Sequence, residues 1–271
     1  MTNLRVVIPG AMGRIGQAMI RYVDSHEGVE LYGATERPDH PDIAKDVGGL
    51  LLGRNIDIKL ENDLRNAIIA ANAIIDFTRP EASVWHAEIA ARYKIPIVIG
   101  TTGCSKGQLE TLRSFSDEVP MVLAPNMAVG VNLLFYLAQR VAATLGEDYD
   151  VEIVEKHHRK KVDAPSGTAL RLAEAIAREW GRERPEEFFD HGRHGHAHDE
   201  RDYGRIGLHA VRGGDIVGDH DLHFIGDGEM ITLSHRATTR ENFVKGAIKA
   251  AFWLQNREPG QYDMADVLGL K

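Results

Sequence analysis

A single cysteine, Cys104, occurs in the 271-residue chain. No intramolecular disulfide can form, and no zinc site built on several thiolates. An excess of positive charge is also missing, since 32 Lys and Arg face 40 Asp and Glu for a formal net charge of -8. Nucleic-acid binders carry a broad cationic face, so any basic cluster here is local and suits a small anion better than a polyanion. No stretch reaches the roughly 18 consecutive apolar residues that a membrane helix needs. The opening MTNLRVVIPGAMG has no basic region, long apolar run and cleavage site of the signal-peptide kind. These absences predict a soluble protein of a reducing, cytoplasmic compartment, with no nucleic-acid and no membrane partner. What remains is ordinary globular composition, 43% hydrophobic and 27% charged, long enough for one large domain or two ordinary ones.

The first half alternates short apolar runs with helix-like segments. LRVVIPG, ELYGATE, ANAIIDFT, IPIVIGTTG and VPMVLAPNM read as strands; GRIGQAMIRYVDSHEG, PEASVWHAEIAARYK and SKGQLETLRSFSDE read as the helices between them. That rhythm predicts right-handed crossovers and a doubly wound parallel sheet. Near residue 127 it changes. A long amphipathic helix, VGVNLLFYLAQRVAATLG, precedes a strand, another helix and three closely spaced strands with Gly/Asp turns, which predict an antiparallel or mixed sheet. The expected organisation is α/β: a Rossmann-type domain over 1–127, rejoined by 238–271, and an α+β domain over 128–237.

VVIPGAMGRIG places Gly10, Gly13 and Gly16 at a strand-to-helix junction. Glycines there permit a tight turn and close backbone approach, and the helix N-terminus offers unpaired N–H groups to a pyrophosphate. Ala11 and Met12 lie between the first two glycines, so the spacing departs from G-x-G-x-x-G. Its weight comes from context, including Glu36 at the end of the next strand, 20 positions after Gly16. That carboxylate can accept from ribose hydroxyls, whereas Arg37 can meet a 2′-phosphate, so NADH and NADPH both stay open. Glycines also mark ordinary tight turns, and Glu-Arg-Pro an ordinary solvated loop. Gly100, Thr101 and Thr102, and the APNM run at 124–127, fall at the same carboxyl edge of the sheet. Cys104 follows directly, either as an aldehyde-dehydrogenase-type nucleophile or as an incidental thiol, with no base evident beside it.

KHHRKKVDAPSGT at 156–168 joins a strand end to a helix that Ser166 can cap. Gly167 and Thr168 would open that helix toward an anion, with Arg159, Lys160, Lys161 and both histidines nearby. A solvated charged loop is the common fate of such a run, and a nucleic-acid patch or a metal site are further readings. The two histidines point opposite ways along a strand, and no third ligand has helpful spacing. HGRHGHAH at 191–198 is strongly His-biased, and a metal-dependent enzyme using it is set against a solvated loop.

GAMGRIG, IDFTRPE, VIGTTG, APNMAVGVN, EKHHRKKVDAPSGTA and RGGDIVGDH run in order along nearly the whole chain. Together they resemble the 4-hydroxy-tetrahydrodipicolinate reductase (dihydrodipicolinate reductase) family of lysine and diaminopimelate biosynthesis. The resemblance implies NADH or NADPH as cofactor, a small cyclic dicarboxylate as substrate, no metal, and a homotetramer formed through the C-terminal domain. It implies His157 as proton donor or acceptor, Lys161 as proton donor with Lys160 in a variable slot, and His158 as a substrate contact. Gly167 and Thr168 would bind a substrate carboxylate. The implied cofactor residues are Gly10, Ala11, Met12, Gly13, Arg14, Ile15, Glu36, Arg37, Gly100, Thr101, Thr102, Ala124, Pro125, Asn126 and Met127. A dinucleotide-sensing Rossmann regulator without reductase activity is the rival reading.

Overall fold

The computed structural model describes residues 3–193, 195 and 200–271. In chain order the first elements are β1 (Leu4–Pro9), α1 (Arg14–Asp24), β2 (Val29–Thr35), α2 (Val47–Leu51), β3 (Leu60–Glu61), α3 (Leu64–Ala67) and β4 (Ala73–Asp76). Next come α4 (Pro80–Tyr93), β5 (Ile97–Ile99), α5 (Lys106–Ser116), β6 (Pro120–Leu123), α6 (Val129–Leu145), β7 (Asp150–His157) and α7 (Gly167–Glu179). The rest are β8 (Phe189–Asp190), β9 (Ile206–Arg212), β10 (Gly218–Gly226), β11 (Glu229–Ala237), α8 (Glu241–Leu254), β12 (Gly260–Tyr262) and α9 (Met264–Leu268). They form two compact units: one runs to Val129 and resumes over Arg240–Lys271, and the other is Gly130–Thr239.

In the first unit seven strands make one sheet in the order β12-β6-β5-β4-β1-β2-β3, and every pairing is parallel. The inner order β3-β2-β1-β4-β5-β6 is the doubly wound one, with its switch point between β1 and β4, where such sheets bind ligands. Both faces are covered, so the strands read as continuous apolar runs rather than alternating ones. Val6 and Ile8 face a core with Met19, Ile20, Ala247 and Leu254, and Val7 faces the other with Ala87, Ala90 and Leu112. The returning helix α8 lies directly on the end of the 124–127 segment. A Cβ on Gly246 would collide with the Met127 carbonyl, so only glycine allows that approach.

The second unit holds a five-stranded sheet ordered β11-β10-β7-β9-β8. β10 runs antiparallel to β7 and β11, while β9 runs parallel to β7 and β8, so the sheet is mixed. β7 alternates with period two: Val151, Ile153, Glu155 and His157 are buried, while Glu152, Val154 and Lys156 face the other way. The buried face packs on Leu134, Ala138 and Ala142 of α6 and on Leu172, Ala173 and Ile176 of α7. By length and composition alone, Val129–Asp148 is a helix apolar enough to cross a membrane. Leu134, Ala138 and Ala142 of this helix lie in the core of the unit, while Leu133 and Leu137 are exposed.

Candidate active site

Two clusters gather the residues singled out above. The first follows β1. Gly10 has φ +67°, and a Cβ on Gly16 would run into the Gly10 and Ala11 carbonyls, so the loop and the first turn of α1 touch backbone to backbone. Several loop amides are used internally: Ala11 N–H donates to Thr35 O at 3.0 Å, Gly13 N–H to Gly10 O at 3.0 Å, and Met12 N–H to the Glu36 carboxylate at 3.1 Å. Gly13 caps α1 with no side chain bonded to the helix end. The amides of Arg14, Ile15 and Gly16 are then the first-turn donors that no helical carbonyl can reach. A pyrophosphate fits that end, because the backbone is close-packed, uncapped and at a dipole-positive terminus. Glu36 also accepts from the Arg37 amide at 3.1 Å, while the Arg37 side chain is exposed and meets Asp39 at 3.4 Å.

Under this edge lies a buried polar network that the sequence reading did not identify. Asp76, at the end of β4, is fully buried and bonds His86 Nδ1 at 2.9 Å. It also accepts from the Thr78 amide at 2.8 Å and from the Thr78 hydroxyl at 2.6 Å. Ser83 donates to the buried Thr101 hydroxyl at 2.8 Å. Despite burial, Asp76 is held below the ordinary carboxylate range by His86, Thr78 and Ser83. Thr78 in turn presses on Gly10, where a Cβ would come within 2.7 Å of its methyl. Gly100 backs onto the Phe77 ring, Thr102 is exposed, Ala124 donates to Ile99 O at 3.1 Å, and Asn126 accepts from Ala128 N–H at 2.9 Å. Cys104 is half-buried, and burial together with Asp76 and Glu81 pushes its thiol up. A thiol kept protonated is a poor nucleophile, which counts against the aldehyde-dehydrogenase reading.

The second cluster lies at the end of β7. His157 is buried and bonds Glu155 at 2.6 Å through Nδ1. Glu155, wholly buried, also receives the Ser166 amide at 2.9 Å and both terminal nitrogens of Arg212, at 2.7 and 2.8 Å. Arg212 further donates to Asp163 O at 2.5 Å, tying β9 to the 158–166 loop. Ser166 caps α7 by accepting from Ala169 N–H at 3.2 Å and bonds His220 Nε2 at 3.1 Å. Gly167 opens the helix into free space and Thr168 is half-buried beside it. Lys161 pairs with Asp163 at 2.8 Å, whereas Lys160 is exposed. Burial, then the Lys161 and Arg212 cations, lower His157 against the pull of Glu155. His220 is pushed down to about 4, chiefly by burial. His158 Nδ1 and His220 Nδ1 are buried with no hydrogen-bond partner among the described residues, a state that polar atoms rarely keep without a ligand or water.

Glu155 and Arg212 were absent from the sequence-predicted site. Glu155 stands two residues before His157 in an alternating strand, so period two was the available signal. His194, His196 and His198 of the His-rich stretch lie outside the described residues, among which no group of three or more His, Cys, Asp or Glu is arranged to hold a metal.

The models described as dihydrodipicolinate reductase, N-terminus and C-terminus, match residues 4–127 and 130–268. A 4-hydroxy-tetrahydrodipicolinate reductase of Syntrophus aciditrophicus is 47% identical over 99% of both chains. One of Dinoroseobacter shibae is 48% identical over 98% of both. Among solved structures, a dipicolinate-bound dihydrodipicolinate reductase from Paenisporosarcina sp. TG-14 superposes with a TM-score of 0.77 at 25% identity, covering 98% of this chain and 99% of that one. Spanned end to end by the two matched halves, the chain belongs to the dihydrodipicolinate reductase family.

Proposed function

We propose that the chain catalyses the NAD(P)H-dependent reduction of (2S,4S)-4-hydroxy-2,3,4,5-tetrahydrodipicolinate to tetrahydrodipicolinate and water, within lysine and diaminopimelate biosynthesis. The observation that carries the reading is the loop after β7. There a buried carboxylate organises His157, Arg212 and the N-terminus of α7 on a chain nearly half identical to curated reductases. The amides of Arg14 and Ile15 suit the cofactor pyrophosphate, Glu36 and Arg37 its adenosine end, and Gly100–Thr102 with Ala124–Met127 its nicotinamide end. When bound, the dihydronicotinamide supplies the hydride that ring carbon C4 receives.

The chain's own residues handle charge and protons. Gly167 and Thr168 receive one substrate carboxylate at the dipole-positive end of α7, and His158 offers a buried nitrogen without a partner among the described residues. The negative charge that builds toward the ring nitrogen or the enamine carbon is stabilised by the Lys161 ammonium, which also donates the quenching proton. Lys161 leaves Asp163 to do so. His157 is the second proton-handling group. The same reading makes the protein a cytoplasmic homotetramer assembled through the second unit's sheet, whose outward face exposes Val211, Ile225 and Met230.

The test is loss of absorbance at the NAD(P)H band with freshly generated 4-hydroxy-tetrahydrodipicolinate. Salt-sensitive retention on DNA with no NAD(P)H oxidation would replace this reading with the dinucleotide-sensing regulator.

A further inference from the structure

Glu155 and His157 lie two residues apart on the same face of β7, and β9 brings Arg212 opposite His157 in register. Held below the ordinary range by Arg212, His157 and the Ser166 amide, Glu155 is ionised and therefore an acceptor only. The nitrogen facing it at 2.6 Å must then carry a proton. The other ring nitrogen, Nε2, is directed toward Gly218 at the start of β10, where a Cβ would stand 3.0 Å away. Glycine keeps that approach clear.

We propose that Glu155 and Arg212 are a positioning pair that holds the His157 imidazole in one tautomer, proton on Nδ1, and presents Nε2 as an open proton acceptor. The proposal deepens the reading of His157 above and rests on it for its catalytic meaning. The groups that face His157 are Glu155 on its own strand, Arg212 on β9, His220 on β10 with ring centroids 5.2 Å apart, and Lys161 in the loop. Arg212 offsets Glu155, Asp163 offsets Lys161, and His220 is neutral above about pH 4, so no net charge is left to favour the imidazolium. Burial then favours the neutral imidazole. An acceptor in this tautomer cannot also be the donor at neutral pH, so donation falls to Lys161.

Long-range proton–nitrogen spectra of 15N-labelled, full-length protein without substrate read the tautomer directly, with H157Q supplying the assignment. Wild-type protein should show the Nδ1–H form. In R212Q the uncompensated Glu155 should raise the His157 midpoint by about one unit or more, and the acidic limb of kcat/KM should move with it. R212K, a cation without the two-pronged fork, should fall between. E155Q should lose the single-tautomer preference. An Nε2–H tautomer in wild-type protein would overturn the proposal without any variant having to fold, and so would an unmoved midpoint in folded R212Q. The Nδ1–H form in a protein that does not oxidise NAD(P)H would refute the proposed reaction and leave the pair standing.

Discussion

Replacing Gly16 by Ala adds one methyl group at the place where α1 meets the phosphate loop. That carbon would stand 2.8 Å from the Ala11 carbonyl oxygen and 2.9 Å from its carbonyl carbon, and closer still to the Gly10 oxygen. All three are backbone atoms, so no side-chain rotation relieves the contact and the loop itself must shift. Overpacking of this kind costs about 1–3 kcal/mol. In a chain of this size each kcal/mol lowers Tm by about 2–4 °C. The displaced loop carries the Arg14 and Ile15 amides, so NADH should bind about tenfold or more weakly, the equivalent of about 1.4 kcal/mol. Gly107 is the matched control: it is also helical, in α5, but a Cβ there would meet nothing within 4 Å. Gly107→Ala should leave NADH binding unchanged and raise Tm slightly, because Ala is favoured over Gly in a helix by up to about 1 kcal/mol. Calorimetric titration of NADH and melting curves with and without it measure both variants. Wild-type affinity in Gly16→Ala, or Tm shifts of the same sign in the two variants, would refute the reasoning.

Lys161→Ala should lower kcat by about 10²–10⁴-fold, the usual worth of a general acid, while changing the NADH KM far less; steady-state kinetics with each substrate varied separates the two. Asp76→Asn removes a fully buried carboxylate that bonds His86 and Thr78 and should destabilise by about 1–3 kcal/mol at neutral pH. Because the folded Asp76 pKa is depressed, its contribution is present above about pH 4 and is lost as pH falls through the folded value, so the Tm gap between variant and wild type should close in acid. For His220 the sign is the same and the pH window is higher. Its folded value is about 4 against an ordinary 6.5, so the unfolded chain takes up a proton first and stability falls by up to about 3 kcal/mol between those pH values. His220→Asn should flatten that slope in urea midpoints without abolishing it, since burial lowers His157 and His235 as well.

The parallel sheet was legible because each of its long strands is an apolar run followed by a helix of ordinary length, a pattern few other folds produce. The mixed sheet was legible from turn spacing alone. The two-residue strands β3 and β8, the three-residue β12 and the short helices α2, α3 and α9 were not, because so few residues complete no period. The phosphate loop shows a finer limit. Its glycines announced close backbone approach, but not that Ala11, Met12 and Gly13 use their own amides, leaving Arg14 and Ile15 as the donors. Asp76 and His86 were hidden differently: one ends an apolar strand, the other sits mid-helix, and only the fold brings them to 2.9 Å.

Glu155 was hidden by the reading that found its neighbours. Attention to KHHRKK follows the cations, yet a loop that gathers His157, Lys161 and Arg212 before any anionic ligand arrives needs an anion of its own to fold. An exposed carboxylate would compete with an incoming anion for the same cations, and Asp163 already pairs with Lys161. Glu155 avoids that by facing inward from β7, below the loop, with no exposed surface and every bond directed to the site's framework. A carboxylate placed there lowers the cost of gathering the cations without filling the space a dicarboxylate needs. The two carboxylates should therefore respond differently to replacement. Loss of Asp163 should free Lys161 and tighten a dicarboxylate inhibitor, whereas loss of Glu155 should weaken it by unseating the framework. Inhibition constants for dipicolinate in Asp163→Asn and Glu155→Gln that move in the same direction would show the two carboxylates to be equivalent and the argument to be wrong.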